Sequence, residues 1–453
     1  MTIRKTMTEG TPWKHIVRFA FPVFLGLVLQ QLYNTVDAII VGNYCGEASL
    51  AAVGTTATFT FLFLAMATGF SAGNGVIVSQ AYGANNLTEV RANASTGILL
   101  LLGMGFLSTI IGIAISKPAY IYFVGVPPEI LDLTLSYFNI CMLGMVFQFG
   151  YNIFSSILRA IGDSAATLYF LLITSILNII LDLLFVAYFK WDVAGAAWAT
   201  NISQGVSFIA AYIYMSKKYP VFRFKISEFS WNRYLALLTI KMGFPIALQL
   251  AIVSVGLTFI QRAVNSFGKA MTASFTVGQR MELFLNLPFH AFQTTLATYS
   301  GQNIGAGKID RVKLGMKQAL GLSLVSTILI SITICYYNID IIRIFGLSEQ
   351  AAIYCKDHIN TIAFTNLILS IYVPVFGIFQ GANHTAVPTL VATCALSVRV
   401  LVTYIFKDNS DYFGYSIIWW NNLFGFSIGC LVTWIYYFSG RWQKNSRIKG
   451  LDK

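Results

Sequence analysis

The run Leu168–Phe189, LYFLLITSILNIILDLLFVAYF, carries one charged side chain, Asp182, in 22 residues. A helix crossing a hydrocarbon core needs about 20 mostly apolar residues. This run has that length. Its apolar residues are continuous rather than alternating, which excludes a strand of a membrane barrel. Yet it retains Asp182, with Asn178 one helical turn before it.

The whole chain repeats that composition. It has 453 residues, 56% apolar and 11% charged, with a mean hydropathy of +0.68. A soluble domain carries about 25% charged residues. With under half of that, the chain cannot cover a water-facing surface. A disordered protein, a nucleic-acid binder and a secreted disulfide scaffold are all disfavoured. Runs bounded by charges, Pro and Gly number twelve, centred near Leu27, Leu64, Gly103, Gly144, Ile176, Phe208, Val253, Leu285, Val325, Leu367, Leu396 and Phe426. The expected fold is an all-α polytopic membrane protein with twelve transmembrane helices. The first apolar run follows Arg4, Lys5, Lys14 and Arg18 and lacks a short signal-type core, so it reads as a retained span.

The net charge of +12 follows from topology. With a cytoplasmic N-terminus, 21 Lys and Arg residues fall in inner loops, 7 in outer loops, and Arg280 and Arg399 inside spans. That bias places both termini in the cytoplasm and explains the charge without nucleic acid, as attraction to anionic lipid. The six cysteines (Cys45, Cys141, Cys335, Cys355, Cys394, Cys430) and four histidines (His15, His290, His358, His384) are dispersed. The cysteines read as small buried hydrophobes, and neither set forms a metal cluster.

The chain is also duplicated. Phe21-Pro22 returns as Phe244-Pro245, at an offset of 223. Ser79–Asn85 matches Gly301–Gly307 at 222, and Arg159–Ser164 matches Gln380–Thr385 at 221. Six spans separate the copies, so the repeat is parallel: two pseudo-symmetric six-helix bundles. The expected organisation is an N-terminal lobe at 1–216, a cytoplasmic linker at 217–232, a C-terminal lobe at 233–440 and a basic cytoplasmic tail at 441–453. Duplicated bundles are a transporter plan, with access alternating between the lobes. Pro22, Pro245, Pro288 and Pro374 lie within spans, where each removes an amide donor and can kink its helix. Such kinks serve hinging or merely packing.

Of 18 acids, three fall inside spans: Asp37, Asp182 and Glu282. A charge at mid-membrane costs about 2.5–3.5 kcal/mol on insertion scales, so each calls for a reason. Asn34 shares a helical face with Asp37, and Asn178 with Asp182. Thr200-Asn201 and Ser203-Gln204 add oxygens in the sixth span. Carboxylate, amide and hydroxyl oxygens suit a hard cation. Two nearby carboxylates could instead share a proton. A third reading makes each Asp a helix–helix glue residue, satisfied by Ser or Asn. Glu282 differs, because Arg280 is two residues away and Arg399 lies at similar depth. A structural ion pair in the second half competes there with a coupling role.

An ordered set of segments resembles the multidrug and toxic compound extrusion (MATE) family. The set is Gln31–Asp37 with Gly42 and Leu50–Gly54, then Ser79–Ala84, Leu158–Asp163, Asn178–Asp182 and Gln279–Glu282. The resemblance implies an inner-membrane antiporter, not an enzyme, exporting amphipathic, often cationic, compounds against inward Na⁺ or H⁺. It implies no cofactor beyond the coupling ion. It also implies a cation site at Asp37, Asn178, Asp182 and Thr200, able to take Na⁺, and drug-facing positions at Gln30, Tyr33, Asn34 and Asn152. A protonation-linked kink maps onto Pro22. Another branch keeps acids in spans seven and ten; here Phe244–Val264 and Ile359–Phe379 have none, which favours a first-lobe site. The expected partners are small amphipathic cations and the bilayer, and a monomer is expected. The rival readings are a lipid-linked saccharide flippase, which would favour a cationic cavity, and a polytopic enzyme acting on lipids, which would need a polar cluster in a sizeable loop. A channel is disfavoured by the two-lobe repeat.

Overall fold

The computed structural model describes residues 7–407, 414–444, 446 and 448. Among them are fourteen α-helices and no strand. The first seven are α1 (Pro12–Cys45), α2 (Glu47–Gly83), α3 (Leu87–Pro118), α4 (Pro128–Leu143), α5 (Met145–Ala160), α6 (Ser164–Asp182) and α7 (Asp192–Lys218). The second seven are α8 (Arg233–Asn265), α9 (Lys269–Gly305), α10 (Ile309–Tyr336), α11 (Asn338–Ile344), α12 (Glu349–Gly381), α13 (Ala386–Phe406) and α14 (Ile417–Phe438). Helices α4 and α5 form one span bent by 44°, and α11 is a seven-residue extension beyond α10. The fourteen helices are therefore twelve spans, six in each half.

Eight helices are long and apolar enough to cross a membrane on composition alone, and the bent pair makes nine. The other three, α7, α9 and α14, carry the polar residues that face inward, such as Asn201, Asn303 and Asn421, all buried. Of the basic residues in the sequence argument, Arg4, Lys5, Arg447, Lys449 and Lys453 lie outside the described residues, as does part of the 441–453 tail.

The chain divides into two compact units. One is Phe21–Leu248; the other joins residues 7–20 to Gln249–Ile448. The division falls inside α1, just before Pro22, and inside α8, three residues after Pro245.

Within the first unit, α2 packs on α3, α4 and α5, and α7 on α4, α5 and α6. Small residues set the closest approach. A Cβ at Gly69 or Gly73 of α2 would lie 2.5 Å from Ala247 N or 2.6 Å from Gly243 N of α8. This is the small-xxx-small contact of membrane helices, where close backbones replace a hydrophobic driving force. The α4–α5 break has a similar cause. The Asn201 side chain occupies the space a Cβ at Gly144 would need, 1.9 Å from its Oδ1. Its Nδ2 donates to Ile140 O, a carbonyl next to the bend. The linker is tied to the same unit: Arg91 donates to Val221 O and Arg223 O and pairs with Glu228 at 2.8 Å.

The second unit repeats this arrangement. Helix α12 packs on α9, α10 and α14, and α13 on α14. A Cβ at Gly377 of α12 would lie 2.1 Å from Gln293 O of α9. Residues 7–10 belong to this unit and are held by Arg311, which donates to Met7 O, Glu9 O and Gly10 O.

The duplication extends to the backbone. Left-handed φ angles recur in pairs: Gly46 (86°) and Gly268 (93°), Asn85 (62°) and Gly307 (73°), Gly162 (94°) and Asn383 (67°). Glycine and asparagine are the residues that accept this region most readily. The helix-ending bonds recur too: Asn86 N to Ala81 O and Lys308 N to Asn303 O, then Asp163 N to Leu158 O and His384 N to Phe379 O. These are six-residue closures of the Schellman kind, which stop each helix at the matching place.

Candidate cation site in the first-half unit

Helices α1, α6 and α7 bring together the residues expected to hold a cation. Helix α6 ends at Asp182, where the helix widens into a π turn, Leu183–Tyr188. Such turns interrupt the regular ladder and frequently mark functional sites. Asn178 and Asp182, four residues apart on one face, are both fully buried. Asp37 is half-buried. Asn178 Nδ2 donates to Thr200 Oγ1 at 3.4 Å, and the Tyr33 hydroxyl meets the same Oγ1 at 3.5 Å. Tyr33, expected at the drug-facing wall, thus touches Thr200, a residue expected to hold the cation.

The carboxyl groups of Asp37 and Asp182 lie within hydrogen-bonding reach of one another. A bond between them requires one proton, because two carboxylates are acceptors only. Asp37 Oδ1, Asn178 Oδ1 and both Asp182 oxygens are enclosed and receive no N–H or O–H from the protein. A glue role would put a hydroxyl or amide donor on each carboxylate, and none reaches these atoms. Among the described residues, direct ion pairs join Arg91–Glu228, Lys218–Asp163, Lys313–Asp310 and Arg343–Asp340. Neither Asp37 nor Asp182 has a basic partner there.

An apolar cluster borders the site: Ile40, Val41, Val186 and Ala196, with Val36, Tyr137 and Ile179 against it. Tyr137 and Cys141 of α4 also lie within electrostatic range of Asp37. Sequence reasoning missed them, because a Tyr and a Cys one turn apart in an apolar run carry no signal of their own. Gln30 and Asn34 are exposed on one face of α1. Asn152 turns back on its own helix, donating to Gln148 O at 2.8 Å. Pro22 lies inside α1, which continues through it as one helix.

Asp163, in the family-like Leu158–Asp163 segment, sits elsewhere, at the start of α6. It caps Ala166 N and accepts from Tyr214, Tyr219 and Lys218. Burial alone would raise this carboxyl, but the three bonds outweigh it and hold it below the ordinary carboxylate range.

The expected Arg280, Glu282 and Arg399 group lies in the second unit. Arg280 is exposed and Glu282 partly buried. Glu282 lies within electrostatic range of Arg399 but in no direct ion pair. Arg399 Nε donates instead to Asn421 Oδ1 at 3.0 Å.

The fold is that of a duplicated, all-helical membrane protein, and the family it matches is one of transporters, not enzymes. The MatE family model matches residues 22–184 and 245–405, and the chain belongs to that family. It is 28% identical to the probable multidrug resistance protein YpnP of Bacillus subtilis, over 96% of this chain and 97% of that one. It is 23% identical to the probable multidrug resistance protein NorM of Thermotoga maritima, over 96% and 94%. Among solved structures, it superposes on an outward-facing MATE family multidrug resistance transporter with a TM-score of 0.92, at 22% identity, covering 99% of this chain and 100% of that one. A crystal structure of MATE in complex with MaL6 gives 0.91 at 22% identity, covering 98% and 99%.

Proposed function

We propose that this protein is a secondary antiporter that exports amphipathic, cationic drugs or metabolites in exchange for H⁺ or Na⁺ held at Asp37, Asn178, Asp182 and Thr200. One observation carries the reading: every enclosed, unbonded polar atom of this cluster is an acceptor, and two belong to a buried carboxyl with no basic partner. What completes the cluster must bring positive charge. One proton between the facing carboxyls does so. A Na⁺ ion fits equally, since a hard cation takes carboxylate, amide and hydroxyl oxygens. The multidrug resistance names of the relatives support export as the direction and small molecules as cargo.

The cycle uses two states of one protein. Facing outward, the pair takes up its cation, the local charge on α1 falls, and a cationic substrate at Gln30, Tyr33, Asn34 and Asn152 is released. The loaded protein turns inward, and the coupling ion leaves to the cytoplasm. Coupling follows because ion and substrate favour opposite states. Pro22 supplies the hinge: it leaves a carbonyl of α1 without its amide donor, beside the place where the compact units divide. The protein works as a monomer in the cytoplasmic membrane, with both termini inside.

The test is efflux of a fluorescent cation from proteoliposomes, with Na⁺ and pH gradients imposed separately. Wild type is expected to respond to at least one gradient, and Asp37→Asn and Asp182→Asn to neither. Unaltered exchange in both variants would remove these residues from the mechanism.

A further inference from the structure

The second-half unit holds an interior cation that the antiport cycle does not use. Arg399 projects from α13 toward α9, α12 and α14. Its guanidinium lies 5.2 Å from the centre of the Phe426 ring, and Glu282 and Tyr372 are within electrostatic range. The fold makes room for it: a Cβ at Gly425 would lie 2.3 Å from Arg399 Cγ. Neighbouring aromatic surface is built as a stack, with His358 4.1 Å from Trp419 and 5.4 Å from Phe275 between ring centres.

A guanidinium has five N–H donors. Here Nε has a protein acceptor, the neutral amide of Asn421, and the terminal nitrogens have none among the described residues. They are not sealed off either, since neither is among the enclosed, unbonded atoms. A guanidinium retained only to neutralise Glu282 would bond it directly. Attraction offsets the desolvation of two charges only when geometry is close and hydrogen-bonded. Arg399 and Glu282 instead stand as opposite charges in one helical bundle with no direct ion pair between them among the described residues.

We infer that Arg399 is a docking point for the carboxylate of a transported molecule, with Glu282 taking the cationic end of the same molecule. The terminal N–H groups suit a two-pronged bond to a planar carboxylate, and the Phe426 face suits an aromatic body. The ligand class is the zwitterionic aromatic amphiphile. This inference rests on the export reading above and extends its cargo from cations to molecules that also carry a carboxylate.

The test compares rhodamine B, a zwitterion with a free carboxylate, with its ethyl ester, by fluorescence anisotropy on the purified full-length protein. Arg399→Gln is expected to weaken rhodamine B by about tenfold, the worth of a charge-assisted hydrogen bond, and to leave the ester within about twofold. Arg399→Lys keeps the charge but loses the fork, and weakens the acid alone by a smaller factor. If Arg399→Gln does not fold, Arg399→Lys carries the test. Equal losses for acid and ester, or an unchanged acid, overturn the inference and leave the export reading standing. Failure of the wild type to bind either dye overturns both.

Discussion

The two halves place the same hydrogen bond at the same positions with opposite chemistry. In the first, Asn178 bonds Thr200 across α6 and α7; in the second, Arg399 bonds Asn421 across α13 and α14. Each pair spans 22 residues, and the pairs are offset by 221, the offset of the Arg159–Ser164 repeat. The same arithmetic sets Thr403 at the place of Asp182, and the offset of the first spans sets Ile260 at the place of Asp37. One half therefore presents acids without a resident cation, and the other a resident guanidinium with neutral side chains at the acid positions. A charge in a low-dielectric interior must be compensated. The second half carries a cation covalently, on Arg399, hydrogen-bonded to a neutral amide. On the function proposed above, the first takes its cation from solution, and an ion taken from solution can be given back.

The comparison is broken most severely by removing the acids. Asp182→Asn is expected to reduce gradient-driven efflux to the leak of protein-free vesicles, with Asp37→Asn close behind. Efflux at the wild-type rate would mean that the second half drives transport. Grafting the second half onto the first is the next largest step. Asn178→Arg places a fixed guanidinium beside Asp182, and is expected to abolish Na⁺- or H⁺-driven exchange while the purified protein stays monodisperse. Surviving exchange would contradict the role given to the missing cation.

A third variant probes the shared scaffold. Gly377→Ala drives a Cβ into Gln293 O of α9, and overpacking of this kind costs about 1–3 kcal/mol. A melting temperature lowered by several degrees is expected. Tyr33→Phe is gentler: it removes one hydroxyl from Thr200, worth about 0.5–1.5 kcal/mol, and should weaken cation dependence a few-fold in the efflux assay. The smallest effect concerns Asp163. Its carboxyl is held below the ordinary range, so its bonds stabilise the fold above the unfolded-state pKa and are lost as pH falls through the folded one. Asp163→Asn should cost about 1 kcal/mol at neutral pH and progressively less below about pH 4, read as melting temperature against pH.

Much of this was legible in the sequence, because length and apolarity fix a span irrespective of its neighbours. Eleven of the twelve run centres fall inside helices, and the twelfth, Gly144, is the residue at which α4 and α5 bend. The duplication was legible for a similar reason: turns that need a left-handed residue keep Gly or Asn at fixed spacing, as at Asn85 and Gly307. Asp37 and Asp182 stood out because an acid in oil needs a reason.

Properties set by packing were not legible. The Asn201 side chain reads as one more polar atom near the site, yet it buttresses the bend at Gly144. No local signal foretells the π turn after Asp182, the meeting of Tyr33 with Thr200, or Tyr137 and Cys141 within electrostatic range of Asp37. Nor does the sequence give Asn421, rather than Glu282, as the partner of Arg399. Each depends on which helix lies alongside, and hydropathy does not encode that.

The central claim is that the first half holds an exchangeable cation at the Asp37–Asp182 pair. Its most direct test counts ions on the purified protein, as ²²Na⁺ displaced or protons released when a cationic substrate is added. The account predicts one cation given up per substrate bound by wild type, and none by the Asp37→Asn, Asp182→Asn double variant. Equal release from the double variant would contradict it.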